Sequence, residues 1–210
     1  MLFFNEKLAT LKKTPYVPIC SQTGAHMTQN KRDDLVRKAL KVFYANGFHA
    51  TGMDKIAADV GISKTSIYKH FRTKEDLILA TLRLRDEMIR NQLFRRMEAL
   101  GATPQDQLLT LFDALEDWFS EPTFQGCMFI KASAEYQGTA DPINVQSMEH
   151  KRLMQERIAQ VCRAAGRDDP ETMARHLMLL VEGATVLAGM SHSPAPARDA
   201  KAAARALLGM

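Results

Sequence analysis

The stretch Thr51-Gly-Met-Asp-Lys-Ile-Ala-Ala-Asp-Val-Gly61-Ile-Ser-Lys-Thr-Ser-Ile-Tyr-Lys-His-Phe71-Arg-Thr-Lys-Glu-Asp-Leu77 decides the fold of this chain. Thr51 followed by Asp54 resembles a capping box, with Asp in place of the longer Glu, and opens a short helix carrying Ile56, Ala57 and Val60. Gly61 ends that helix. Ser63 is placed to cap the next one, Lys64 to Phe71, where Ile67 and Phe71 stand four apart on one side and the other face is polar and basic. Thr73 with Asp76 repeats the cap pattern. It starts a long helix whose apolar positions include Leu77, Ile78, Leu82, Met88, Ile89, Leu93, Met97 and Leu100, closed by Gly101. Two short helices joined around a glycine, the second with a basic outer face, have the geometry of a helix-turn-helix whose second helix enters the major groove. Ala57, four residues before Gly61, lets the two helices pack closely, and Ile56, Val60, Ile62 and Ile67 supply the apolar contacts that set their angle.

Upstream, Leu35, Val36, Ala39, Leu40, Val42 and Phe43 recur at helical steps from Asp33 and stop before Asn46-Gly47, which predicts a first helix. Residues 1–27 show no sustained period, contain Pro15 and Pro18, and are expected to be a disordered leader, with Met27 as a second candidate start. Downstream, Thr103-Pro104, Asp141-Pro142 and Asp169-Pro170 each place a capping side chain before a proline suited to the first helical position. They predict helices over Pro104–Ser120, Pro142–Ala165 and Pro170–Ser191, with others over Cys127–Tyr136 and about Arg198–Leu208. No strand pattern competes, so the fold class is all-α. The expected organisation is a leader (1–27), a three-helix helix-turn-helix domain (28–78) and a larger helical effector-binding and dimerisation domain (79–210).

Composition supports this division. Of the 210 residues, 46% are hydrophobic, enough to bury one large core or two small ones. Residues 30–78 carry ten Lys and Arg against six Asp and Glu, whereas residues 79–210 carry fifteen against seventeen. Lys64, Lys69, Arg72 and Lys74 fall within Ser63–Lys74 without an acidic residue, the local electrostatics that phosphate binding requires; a solvated charged face is the alternative. The most apolar run, Leu177 to Met190, is interrupted by Glu182, Gly183 and Gly189, so no membrane span and a cytoplasmic location are expected. Cys20, Cys127 and Cys162 have no short metal-ligand spacing, which predicts neither zinc site nor disulfide framework. There is no glycine-rich phosphate loop or nucleophile elbow, and His49, His150, His176 and His192 lack a partner at motif spacing. Neither catalysis nor a cofactor is expected.

Thr51-Gly-Met-Asp-Lys-Ile-Ala, Gly61-Ile-Ser-Lys-Thr-Ser-Ile-Tyr-Lys-His-Phe and Lys74-Glu-Asp-Leu together resemble the tetracycline-repressor (TetR/AcrR) family over about fifty residues. The arrangement of Tyr68, His70, Phe71 and Lys74 is more specific than a generic helix-turn-helix. The resemblance implies that Thr51, Tyr68, His70 and Lys74 contact phosphates of double-stranded operator DNA, which sets position rather than sequence. Lys64, Thr65, Ser66 and Lys69 are then candidates for base edges, because early recognition-helix residues face the groove floor. Thr65 departs from the Gly or Ala frequent there. The alternatives are a boundary role for Tyr68 and a surface role for His70, and Phe71 reads as core.

The resemblance also implies a homodimer joined by the last two long helices of each subunit. Leu177, Leu180, Val181, Ala184, Leu187 and Ala188 form one wide stripe, and Val145, Met148, Ile158 and Val161 offer a facing one; packing within one subunit is the alternative. Phe112, Leu115, Trp118, Phe119, Met128, Phe129 and Met154, together with Phe124 and Leu179, suit an adaptable cavity for a partly apolar small-molecule effector, with Glu135 and Tyr136 to orient a polar group; ordinary core explains the apolar ones equally. Cys127, near a helix start, invites a thiol-based electrophile or redox sensor, against a small buried residue. The function expected is a ligand-responsive repressor, the alternative an activator or scaffold without an effector.

Overall fold

The computed structural model describes residues 23–210, with side chains from Asn30 onward; of the leader expected over residues 1–27, residues 1–22 lie outside the described residues. Nine helices follow one another in this part of the chain, and no strand forms among the described residues: α1 (Thr23–Asn46), α2 (Met53–Val60), α3 (Lys64–Tyr68), α4 (Lys74–Leu100), α5 (Pro104–Phe119), α6 (Met128–Glu135), α7 (Pro142–Ala164), α8 (Pro170–Ser191) and α9 (Ala195–Leu207). Residues 23–27, expected in the leader, are the first turns of α1, which therefore starts well before its apolar period does. An amphipathic period marks only the packed part of a helix.

The helix boundaries are set by side-chain chemistry. Thr73–Asp76 and Thr103–Asp106 form reciprocal capping boxes at α4 and α5, and Asp141 and Asp169 cap α7 and α8. Gly61 ends α2 at φ 77°, the left-handed conformation that costs a glycine least, and its N–H returns to the Ala57 carbonyl at 3.0 Å. The expected cap at Thr51 is corrected: Gly52 is the N-cap of α2 and makes no side-chain cap bond. Thr51 is fully buried, and its hydroxyl donates to the Gly47 carbonyl at 2.6 Å.

Helices α1 to α3 form a small head, and α4 runs from it into a body made of α5 to α9. The first half of α4 lies along α1, where one groove is lined by Val36, Ala80 and Leu84 and another by Leu40, Leu84 and Met88. Its second half packs on α5 and α7, with surface ion pairs Arg96–Asp117 and Glu98–Arg157. At the middle of α4, Asp86 is buried and accepts from His150 Nδ1 of α7 at 2.7 Å and from Arg90 Nε and Nη2 at 2.7 and 2.8 Å. His150, without a partner by sequence spacing, thus has one 64 residues away, and its ring stacks on Phe129 at 3.7 Å.

In the body, α8 packs on α7 and α9, and α5 lies against α9. Ile158 and Val161 of α7 and Leu177, Val181, Ala184 and Ala188 of α8 are buried inside the protomer, which corrects their assignment to a dimer surface. The apolar stripe read from the sequence is the core stripe: α7 and α8 are consecutive, antiparallel neighbours, and each spends its most regular face on the other. Leu180 is half-buried against the core, while Val145, Met148 and Leu187 are exposed. Helix α8 is, by length and composition, long and apolar enough to cross a membrane, so Glu182 and the two glycines do not interrupt it as expected. Part of that apolarity, including Leu177, Met178 and Val181, is buried in the protomer.

Candidate nucleic-acid interface

The recognition helix is shorter than its periodicity suggests. It ends at Tyr68, with Lys69 as C-cap, yet Ile67 and Phe71 are both buried and hold it to the head as expected. Ser63 caps it by accepting from the Ser66 N–H at 3.1 Å, and the two serine hydroxyls lie 2.8 Å apart. With one side fixed in the core, Lys64, Thr65, Tyr68 and Lys69 are left exposed, and Ser66 and His70 half-exposed. The Tyr68 side chain stands 45% exposed, far more than core packing explains.

Charge on this surface is partly committed. Lys64 bonds Asp54 of α2 at 3.0 Å, and this bond and charge raise the lysine above its ordinary pKa. A phosphate or base edge must therefore compete with Asp54 for Lys64, whereas Lys69 has no carboxylate within ion-pair range among the described residues. Lys74, at the start of α4, donates to the Phe48 carbonyl at 3.1 Å and is half-buried. Thr51 presents no surface at all, so its expected phosphate contact is corrected: its hydroxyl belongs to the turn between α1 and α2.

Two neighbours of α3 escaped the sequence reading. Lys31 of α1 shares a cavity of about 350 Å³ with Val60, Ile62, Ser66 and His70, and the Arg32 guanidinium lies 4.8 Å from the centre of the Phe71 ring. The Lys31-Arg32 pair was visible in the sequence, but only the packing of α1 beside α3 brings it to this surface.

The other predicted residues lie in the body. Phe112, Leu115, Trp118, Phe119, Met128, Phe129 and Met154 are all buried. Trp118, Phe119 and Phe124 form a trio with ring centres 4.9 to 5.6 Å apart, while Phe129 instead faces His150. Leu179 is not with them: it is 71% exposed on the outer face of α8. The Glu135 carboxylate is engaged with the head, accepting from the Phe48 N–H at 3.0 Å and the His49 N–H at 2.5 Å. The Tyr136 hydroxyl is buried without a hydrogen-bond partner, and burial raises it to about 12. Cys127 is buried at the N-cap of α6, where Lys151 Nζ stands 3.3 Å from its sulfur and 2.7 Å from Glu182.

A tightly packed helix-turn-helix with one basic, solvent-facing helix, carried on a larger helical body, defines a DNA-binding protein of regulatory type. Residues 35–81 match the family described as bacterial regulatory proteins, tetR family, and residues 104–204 match the tetracyclin repressor-like C-terminal domain. The chain belongs to the TetR family of transcriptional regulators. It is similar to the HTH-type transcriptional regulator YjdC of Escherichia coli, 24% identical over 73% of this chain and 80% of that protein. A shorter likeness, 46% identity over 25% of this chain and 24% of the other, links it to the HTH-type transcriptional activator FasR of Mycolicibacterium smegmatis. Among solved structures, a TetR-family transcriptional regulator from Streptomyces coelicolor superposes with a TM-score of 0.79 at 27% identity, covering 86% of this chain and 95% of that one. The chain is thus a DNA-binding transcriptional regulator; members of its family bind operator DNA and act as dimers.

Proposed function

We propose that this chain is a homodimeric repressor that grips a palindromic operator with two copies of α3 and releases it when a partly apolar small molecule enters the body. The observation that carries the reading is the exposed basic face of α3, held to the head by the buried side chains of Ile67 and Phe71. Tyr68, His70 and Lys74 position the head on phosphates, and Lys64, Thr65, Ser66 and Lys69 meet base edges. The dimer surface is the outer face of α8, where Leu179, Val186, Leu187 and Met190 are exposed at helical spacing, joined by Val145 and Met148 of α7. Large apolar side chains left in water on one face are what a second subunit covers. The effector site is the buried apolar group Phe112, Leu115, Trp118, Phe119, Met128, Phe129 and Met154. As a regulator of transcription, the dimer works in the cytoplasm.

Selection of bound sequences from a random DNA pool by the purified chain, at a stated salt concentration, tests this. A palindrome with half-sites roughly 34 to 36 Å apart supports it. Binding without sequence enrichment, fading as salt rises, overturns it. The relative named as an activator shows that the sign of control needs its own measurement: promoter output with and without the protein.

A second reading, a thiol-responsive regulator, is favoured by the placement of Cys127 at the start of α6 with the Lys151 ammonium 3.3 Å from its sulfur. N-ethylmaleimide should then modify Cys127 and abolish operator binding in the native chain but not in Cys127→Ala. No adduct on the folded protein removes this reading.

A further inference from the structure

The head is attached to the body along two lines. One is α4, which is common to both. The other is a set of polar contacts from α6 and the loop before it to the end of α1. The Tyr44 hydroxyl donates to the Gly126 carbonyl at 2.8 Å and accepts from the Gln125 N–H at 2.8 Å. Lys131 Nζ donates to the Tyr44 carbonyl at 3.3 Å. At the far end of α6, the Glu135 carboxylate accepts from two successive backbone N–H groups, those of Phe48 and His49.

The last contact has the form of an anion held in a backbone turn. Gly47 adopts φ +80°, and a Cβ there would stand 3.2 Å from Glu135 Oε1, so the turn is shaped to admit the carboxylate. The Glu135 side chain is only 25% exposed, and charge-assisted bonds of this kind are the stronger class. Tyr136, the next residue, lies against the same turn, 4.7 Å from the His49 ring and 6.4 Å from Phe48. The turn in question leads directly into α2, and Lys74 at the start of α4 bonds the Phe48 carbonyl from the other side.

We infer that Glu135 is a positioning residue that fixes the angle of the reading head on the body, and thereby the separation of half-sites the dimer accepts. A head joined through α4 alone can swing about that helix. A second attachment at the α1–α2 turn, made from α6 rather than from α4, restrains the swing. Glu135 serves this role better than the Tyr44 contacts because it holds the segment that directly precedes the helix-turn-helix.

The test uses the full chain as wild type, Glu135→Gln and Glu135→Ala, compared by amide hydrogen exchange across residues 44–51 and by selection from a random DNA pool. In Glu135→Ala, Phe48 and His49 should exchange about tenfold faster, and the same half-site sequence should be recovered at two or more spacings where the wild type recovers one. Glu135→Gln keeps one acceptor oxygen and should fall between. Unchanged exchange overturns the inference, and so does faster exchange with a single unchanged spacing, because Glu135 then braces the turn without orienting the head. The spacing readout rests on the dimer proposed above. If wild-type half-sites show no fixed spacing, the dimer fails and the spacing role of Glu135 falls with it, whereas one wild-type spacing kept in Glu135→Ala overturns the Glu135 inference alone.

Discussion

Replacing Asp86 by Asn probes the buried polar joint between α4 and α7. Burial pushes the Asp86 carboxyl up, but the bonds from His150 and Arg90 outweigh it and hold the group at about 2, against an ordinary 3.8. Because the folded value lies below the unfolded one, the charged form stabilises the folded chain above about pH 4, and that contribution is lost as the pH falls from 3.8 through about 2. At about 1.4 kcal/mol per pH unit, the contribution is worth about 2 kcal/mol. Asn imitates the protonated carboxyl: it still accepts from His150, whereas Arg90, 31% exposed, turns to water. Asp86→Asn should therefore unfold about 2 kcal/mol more easily at about pH 7 in urea, both proteins being held at one protomer concentration because a dimer's stability depends on it. Burial is the largest influence on His150 and depresses it despite Asp86, so the imidazole favours folding above its ordinary 6.5 and costs stability as the pH falls through its folded value. Both proteins share that burial, so the difference between their curves mainly reads Asp86. A difference below about 0.5 kcal/mol, the range of an ordinary surface substitution, or one that does not narrow below about pH 4, refutes the reasoning.

Met190→Glu, at a side chain 75% exposed, should leave the protomer folded but weaken the dimer at least about tenfold in sedimentation; Leu177→Ala, fully buried, should instead cost about 2 to 5 kcal/mol in urea unfolding. Tyr68→Phe should keep the fold and weaken all operators alike in gel shifts at fixed salt, whereas Lys69→Ala should also relax sequence preference. Thr51→Val removes the 2.6 Å bond to the Gly47 carbonyl and should cost about 1 kcal/mol of stability with operator affinity unchanged; a lower affinity at equal stability would restore Thr51 to the contact surface.

Local chemistry was legible wherever it acts over a few residues. The box at Thr73–Asp76, the cap at Thr103, the glycine stop at Gly61 and the proline starts at 104, 142 and 170 all stand where their side chains indicate. Thr51 shows the limit. Its pattern matches a cap, but the tight turn at Gly47 draws its hydroxyl inward, and the cap position passes to Gly52. In the apolar stripes of α7 and α8, Ile158, Val161, Leu177, Val181, Ala184 and Ala188 face the protomer's own core while Val145, Met148 and Leu187 stay exposed, since periodicity reports that a face is apolar and is silent on which helix covers it.

The sequence by itself therefore determined the helical class, the helix-turn-helix with its basic outer face, and the split between a basic head and an acidic body. Each follows from residues no more than about one or two helical turns apart, or from composition. Only the tertiary structure decided that α8 spends its regular stripe inside the protomer and shows Leu179 and Met190 outside, that His150 meets Asp86, and that Glu135 reaches back 87 residues to the turn before α2. Those pairings depend on how nine helices stack, and stacking is settled by the joint packing of all their faces, which no single segment carries.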